Sequence, residues 1–455
     1  MPSLLQRLLP RLFGDHDRPI AKAPPIAPAH GAGRPEDVMP AMTGLQSLGA
    51  RRPLISSEGH IVGFEFQVGE QTFQRLVRRG DQRAQAAHVS AVLASARLIG
   101  QSGRIGFARF PTGWLLQATT AQVGPGTMVG LELDENCEST PQLALDTEHA
   151  VGRLRSAGAK VGWTASCHIN AVPDFLLLHQ QAMPMAELLK RMQGLPKAWS
   201  AIPVVVTDIA NLEDLELALH HGISWGCGAP TALSAMPALD KNLPVPPEVR
   251  RVGHLLHQLV TGAETPDIVA EIKRDVGLSY RLLRRINSAS FAQLNPGTTI
   301  EQAAMMLGRN ELYRWFSMLM IQFAGQRKTS FALQEITLWR SRLMELLALE
   351  KNDPAAGQLF TLGLASMLAL LLKTSPTEIA SALNLPETAR QALLEQSGPW
   401  NVYLQTAMEL ERPSQLGSNP ELAHFGGRAR VLQLSDQAWT WAADNSQRDG
   451  HGGAA

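Results

Sequence analysis

The residues best able to do chemistry in this chain are few and scattered. His254 and His257 sit three apart in VGHLLHQL, a spacing that places both on one helical face, as a metal-binding pair needs. No acidic residue lies within that turn and the neighbours are leucines, so a packed helix carrying two ordinary histidines is the favoured reading. His220 and His221 precede Gly222 at an expected helix C-terminus, where imidazolium suits the helix dipole, and they read as a cap. Cys137, Cys167 and Cys227 are odd in number and far apart, which gives neither a disulfide framework nor a metal-ligand spacing and fits a reducing cytoplasm. From Gln258 to Ala423 there is no histidine or cysteine, so that segment supplies no soft metal ligand.

The most patterned stretch is LSYRLLRRINSASF, Leu278 to Phe291. Leu278, Leu282, Leu283 and Ile286 form one helical stripe, while Arg281, Arg284 and Arg285 lie largely off it. The default is a solvated basic face with the leucines in the core, and Asn287 reads as a lock for the helix end. The stretch is architectural: a rigid helical surface, with Arg281, Arg284, Arg285 and Asn287 as the candidate interaction surface. Trp315, Phe316, Met318 and Met320 in GRNELYRWFSMLM read as core rather than a cofactor box.

These residues must be positioned by more than one domain, because 455 residues exceed what one core usually supports. Hydrophobic residues are 45% and charged residues 18%, a globular composition. Lys+Arg and Asp+Glu are both 41, so no global field draws the chain to nucleic acid. The apolar run Leu359 to Leu372 is too short for a bilayer and reads as a buried helix. Residues 3–13 place Leu4, Leu5, Leu8, Leu9, Leu12 and Phe13 on one face, which could dock on a partner or a membrane surface, but Pro10 favours a frayed end.

Residues 1–44 form a flexible N-terminal segment, Pro-, Ala- and Gly-rich from about residue 19. In residues 45–239 the strand-like HIVGFEF, RIGFARF, MVGLEL, AKVGW, FLLL and IPVVV alternate with helical stretches, implying a parallel sheet, open or closed into a barrel. Residues 240–249 are a proline-bearing linker, residues 250–411 are helical throughout, and residues 412–455 turn polar and are expected to be disordered.

Three blocks of the helical half carry a resemblance: EIKRDVGLSYRLLRRINSASF, TTIEQAAMMLGRNELYRWFSMLM and FTLGLASMLALLLKTSPTEIASALNLPETARQALLE, in that order, resemble the HDOD domain, a relative of HD-type phosphohydrolases without their metal site. The preceding half resembles the EAL domain of cyclic di-GMP phosphodiesterases through RRPLISSEGHIVGFEF, which sets Glu65 at the Glu of the EAL triplet, and MVGLELDE, which retains Glu132 and Glu135. The resemblance implies a TIM-like α/β barrel, degenerate and shorter than a complete EAL domain, followed by an all-α HDOD domain.

The positions of the family's paired aspartates fall on Thr164 and Ala165, its Lys/Asp pair near Leu177 and His179, and its later carboxylates near Thr207 and Ala210. Glu65 and Glu132 alone cannot hold the metals that phosphodiester hydrolysis needs. The expectation is therefore a non-enzymatic, cytoplasmic signalling protein of a bacterial regulatory pathway. It would use no cofactor, would have an inactive EAL-like half, and would act on protein partners through its HDOD domain. One alternative is a receptor that binds cyclic di-GMP or another cyclic dinucleotide without cleaving it, with Arg104 or Arg109 on the phosphates. Another is a residual enzyme using Glu65, Glu132 and Glu135.

Overall fold

The computed structural model describes residues 51–68, 70–133, 141–167, 169–180, 183–195, 199–229, 231, 244–286, 299–323, 328–412 and 420–450. The amphipathic stretch at residues 3–13, Glu135, Asn287 and linker residues 240–243 lie outside them. Barrel and helical half belong to one compact unit, Gln46–Ala455.

Eight strands close into a barrel: β1 (Arg51–Ser56), β2 (Ile61–Phe66), β3 (Ile105–Pro111), β4 (Thr127–Glu132), β5 (Lys160–Trp163), β6 (Leu176–His179), β7 (Val204–Ile209) and β8 (Trp225–Gly228). β2 to β8 run parallel, and β1 is antiparallel to both its neighbours. Helices α1 (Glu70–Arg79), α2 (Gln82–Gln101), α3 (Pro141–Ser156), α4 (Met185–Gln193) and α5 (Leu212–His220) lie between strands. The shortness of this half does not open the ring, because β8, the four residues WGCG, pairs Leu54 with Cys227 and closes it. The barrel interior is filled by Leu54, Phe107, Met128, Phe175, Leu177, Val205 and Cys227, all buried.

The β1–β2 hairpin has no room for a crossover helix, so its outer face needs another cover. The helical half supplies it. This half comprises α6 (Pro247–Val260), α7 (Thr265–Arg274), α8 (Val276–Ile286), α9 (Ile300–Gln322), α10 (Ser330–Glu350), α11 (Ala356–Leu372), α12 (Pro376–Ala382), α13 (Glu387–Arg390), α14 (Asn401–Leu410) and α15 (Arg428–Gly450). Ala332 N–H at the start of α10 donates to Gly59 O in the hairpin turn at 2.9 Å, and Phe331 stacks on His60 at 4.3 Å. Trp439 of α15 stacks on Trp339 of α10 at 4.8 Å and meets Phe64 of β2 edge-on at 4.9 Å. One apolar core runs through both halves.

The tail is therefore not disordered throughout, which corrects the expectation for residues 412–455. Within it residues 428–450 are helical, and Val431, Leu434, Ala438, Trp439 and Ala442 are buried. α11 is buried along nearly its whole length, and no helix among the described residues is long and apolar enough to cross a membrane. Trp315, Phe316, Met318 and Met320 fill the core, and α9 breaks at Gly308, whose φ of +69° suits glycine.

Candidate functional site

The C-terminal ends of parallel barrel strands face one rim, and side chains at inward positions meet there. Strand alternation puts Glu65, Arg109, His179 and Thr207 inward, in the layer above Phe107, Leu177 and Val205. Because β1 runs the other way, Arg52 near its start joins the same layer opposite Glu65. Asp208 arrives differently. The β7–β8 register slips between Val206 and Ile209, and Asp208 takes φ +59°, so two consecutive residues, Thr207 and Asp208, both serve the mouth.

Arg109 is the centre of the cluster. Its Nε lies 2.5 Å from Glu65 Oε1, its Nη1 lies 2.9 Å from both Glu132 Oε1 and Asp208 Oδ2, and its Nη2 donates to Gln67 Oε1 at 3.1 Å. Arg52 donates from Nε to Glu65 Oε2 at 2.7 Å and from Nη2 to Asp208 Oδ1 at 3.0 Å. His179 Nδ1 is 2.7 Å from Thr207 Oγ1, and its Nε2 is 3.4 Å from Glu132 Oε1.

Burial would raise the Glu65 carboxyl, but Arg109 and Arg52 more than offset it and hold Glu65 below its usual range. Asp208 is likewise held far down, its burial outweighed by a hydrogen bond from His179 and the charges of both arginines. The arginines are in turn held fully protonated by these carboxylates against their own burial. Burial pushes the Cys227 thiol well up, and it donates to Glu65 Oε2 at 2.8 Å.

Of the residues expected to matter, Glu65, Glu132 and Arg109 converge, and they are joined by His179 and Thr207, which stand near positions where the resemblance places missing family residues. Thr164 and Ala165 do not converge: Thr164 Oγ1 pairs locally with Ser166 Oγ at 2.9 Å, and Ala165 is exposed. Arg104, expected as a phosphate contact, instead pairs with Glu335 of α10 at 2.8 Å. Arg52 and Asp208 were missed. Arg52 carried no signal beyond its place in RRPLIS, and Asp208 depends on a bulge that alternation does not foretell.

In the helical half, Arg281 is exposed and its guanidinium lies 4.8 Å from the Phe323 ring centre, while Arg285 is half-buried. Val276 and Tyr280, one turn apart on α8, are 83% and 65% exposed, so this helix shows a mixed basic and apolar face. His254 is exposed with Nε2 at 3.6 Å from Glu271 Oε1, and His257 does not join it in a metal-like cluster.

The EAL resemblance implies divalent cations at the barrel mouth. As arranged, the residues do not fit one: each of Glu65, Glu132 and Asp208 is in contact with Arg109, whose guanidinium fills the space between them. Among the described residues no group of three or more His, Cys, Asp or Glu is placed to hold a metal ion.

Residues 243–395 match the HDOD domain. The chain is 25% identical over 425 residues to the cyclic di-GMP phosphodiesterase CdgJ of Vibrio cholerae, covering 87% of this chain and 92% of that protein. It is 34% identical over 156 residues to the uncharacterized protein YuxH of Bacillus subtilis, covering 33% of this chain and 37% of that one. Similar solved structures include the Bacillus subtilis YkuI protein with an EAL domain, in complex with c-di-GMP and calcium (16% identity, TM-score 0.30, 55% of this chain and 69% of that one). Another is an HDOD domain protein from Geobacter sulfurreducens (14% identity, TM-score 0.31, 48% of this chain and 96% of that one).

The chain thus has a closed, TIM-like barrel of eight strands followed by a helical region that matches the HDOD domain. One expectation is corrected: a protein without enzyme activity does not accord with a relative named as a phosphodiesterase that aligns along nearly its whole length with this chain.

Proposed function

We propose that this protein works in cyclic di-GMP signalling, with the barrel mouth taking the dinucleotide and the helical half passing its state to a protein partner. The observation that carries the reading is the alignment of both halves with a relative named for cyclic di-GMP. The geometry supports it. The polar residues Arg52, Glu65, Arg109, Glu132, His179, Thr207 and Asp208 gather at the strand C-termini, the end where barrels of this class place their ligands.

The partner surface we assign to α8 and the residues after it, with Arg281, Arg284, Arg285 and Asn287. The exposed Val276 and Tyr280 beside Arg281 support a surface that takes an apolar, acidic partner segment. A partner seated there lies on a domain whose core is continuous with the barrel, which gives the two halves a physical connection.

Calorimetry with cyclic di-GMP, followed by chromatography of the same samples in Mg²⁺ or Mn²⁺, tests the mouth. One saturable site, weakened by Arg109→Glu, is the expected result. Appearance of a linear product would extend the likeness to the relative's activity. No binding under any of these conditions would overturn the reading.

A further inference from the structure

Between Gln74 and Ser90 the chain carries four arginines, Arg75, Arg78, Arg79 and Arg83, against one acidic residue, Asp81. Spacings of three and four put Arg75, Arg78 and Arg79 on one face of α1, while Phe73, Leu76 and Val77 lie on the other and pack inward. Phe73 meets the Trp114 ring at 5.1 Å, and Gln85 of α2 donates to Leu76 O at 3.4 Å, so the helix is seated on its neighbours. Gly80, at φ +60°, turns the chain straight into α2, whose first turn carries Arg83. All four arginines are exposed.

The fold gives these charges no opposite charge to pair with. Arg78 Nε donates to Gln74 O at 3.3 Å, but among the described residues no carboxylate stands within ion-pair distance of any of the four. Asp81 is engaged as the cap of α2, its side chain accepting from Arg83 N and Ala84 N, and four arginines less one aspartate leave a local surplus of three positive charges. Arg191, Arg250 and Arg251 are exposed as well, yet each lies beside a carboxylate, of Glu187, Glu378 and Asp275.

Three kinds of polyanion suit such a face, and they leave different marks. A single-stranded nucleic acid is held on aromatic rings, and residues 74–90 contain no Phe, Tyr or Trp. An acidic protein segment accounts for the arginines alone. An anionic bilayer accounts also for MPSLLQRLLPRLF, where Leu4, Leu5, Leu8, Leu9, Leu12 and Phe13 share one helical face and Arg7 and Arg11 add charge. Pro10 disfavours that helix in water, a cost that burying the leucines in a bilayer offsets. One weak contact holds a protein on a membrane only marginally, and two together hold it firmly.

We propose that α1 and the first turn of α2 form a docking face for anionic phospholipid headgroups, with residues 3–13 as the apolar contact. Guanidiniums take phosphate oxygens in pairs, which suits arginine at all four positions. The proposal does not depend on what the barrel mouth binds.

The test is sedimentation of the full chain with vesicles of mixed phosphatidylglycerol and phosphatidylcholine, against vesicles of phosphatidylcholine alone. Wild type is expected to sediment with the anionic vesicles and not with the neutral ones, and salt at about 0.5 M should weaken its binding by screening. Arg75→Gln/Arg78→Gln/Arg79→Gln/Arg83→Gln, substituted only at exposed positions, should bind at least about tenfold more weakly with an unchanged melting temperature. Leu5→Asp/Leu8→Asp should lose at least about tenfold as well. A labelled polyglutamate peptide and a labelled oligothymidylate stand for the other two polyanions. Wild type held by either of these but not by anionic vesicles overturns the proposal. Equal sedimentation with both kinds of vesicle, or wild-type affinity in either variant, overturns it too.

Discussion

Arg51 and Arg52 are neighbours on β1 whose guanidiniums lie on opposite sides of the barrel wall. Arg52 reaches inward to Glu65 and Asp208. Arg51 reaches outward, 4.5 Å from the Phe64 ring centre and 3.4 Å from Asp436 Oδ1 of α15. One strand therefore carries the mouth on one face and the seam with the helical half on the other.

The two positions should answer differently to the same substitution. Arg51 is buried, its Nε and Nη1 make no hydrogen bond, and burial lowers its affinity for its proton. Arg51→Met keeps the packing and leaves behind Asp436, which is partly solvated, so it should change stability by no more than about 1 kcal/mol. Arg52→Met strips a partner from the fully buried Glu65 and should cost about 3–5 kcal/mol. Urea unfolding of the two variants decides it, and equal losses would refute this account of the strand.

How much of this could be read from sequence depends on the element. HIVGFEF, RIGFARF and IPVVV are legible because barrel strands covered on both faces are apolar runs. β1 was missed because it opens on two arginines, each buried by a partner distant in sequence, and β8 because four residues with two glycines show no period. Glu65 and Glu132 were legible through the family motif. Asp208 was not, since plain alternation turns it away from the mouth and only the bulge turns it back. α15 was hidden by composition: its average is polar, while Val431, Leu434, Ala438 and Ala442 recur at helical spacing on its buried side.

The mouth should also set the acid limit of the fold. Carboxylates in the unfolded chain titrate near 4, and Glu65 and Asp208 are held lower than that in the folded state. As pH falls below about 5 the unfolded state takes up more protons than the folded one, so stability drops with pH until the folded groups protonate. Asp208→Asn keeps a side chain that tolerates the left-handed region and removes one of these groups. Its unfolding free energy should fall less steeply than that of wild type between about pH 5 and 3. Parallel slopes in denaturant titrations across that range would remove Asp208 from the explanation.

Gly59 is the tightest point of the seam. It has φ +81°, and a Cβ there would fall within the van der Waals radius of the Lys328 carbonyl oxygen. Gly59→Ala is expected to cost at least about 2 kcal/mol, from the left-handed backbone and from the displaced segment ahead of α10. Gly103, also at positive φ but with no atom near its absent Cβ, is the control that isolates the backbone contribution. If both alanine variants lost the same stability, the close approach to Lys328 would carry no weight.

The C-terminal helix offers the sharpest structural test, because it decides whether the barrel can stand without its cover. Trp439 lies between Trp339 and Phe64 and is 4% exposed, and Trp339 Nε1 donates to Ser435 Oγ of the same helix at 3.2 Å. Trp439→Ala opens a cavity where helix, helix and barrel meet and should cost about 3–5 kcal/mol. Ending the chain at Gly427 should do more, since it exposes Trp339 and Phe64 together and leaves Arg51 without Asp436. That protein should melt at lower temperature and bind a hydrophobic dye, with faster amide exchange in β1 and β2 as the local signature. A shortened chain with the wild-type melting temperature and unchanged exchange in β1 would mean that α15 merely rests on the barrel and that the hairpin is covered well enough by α10 alone.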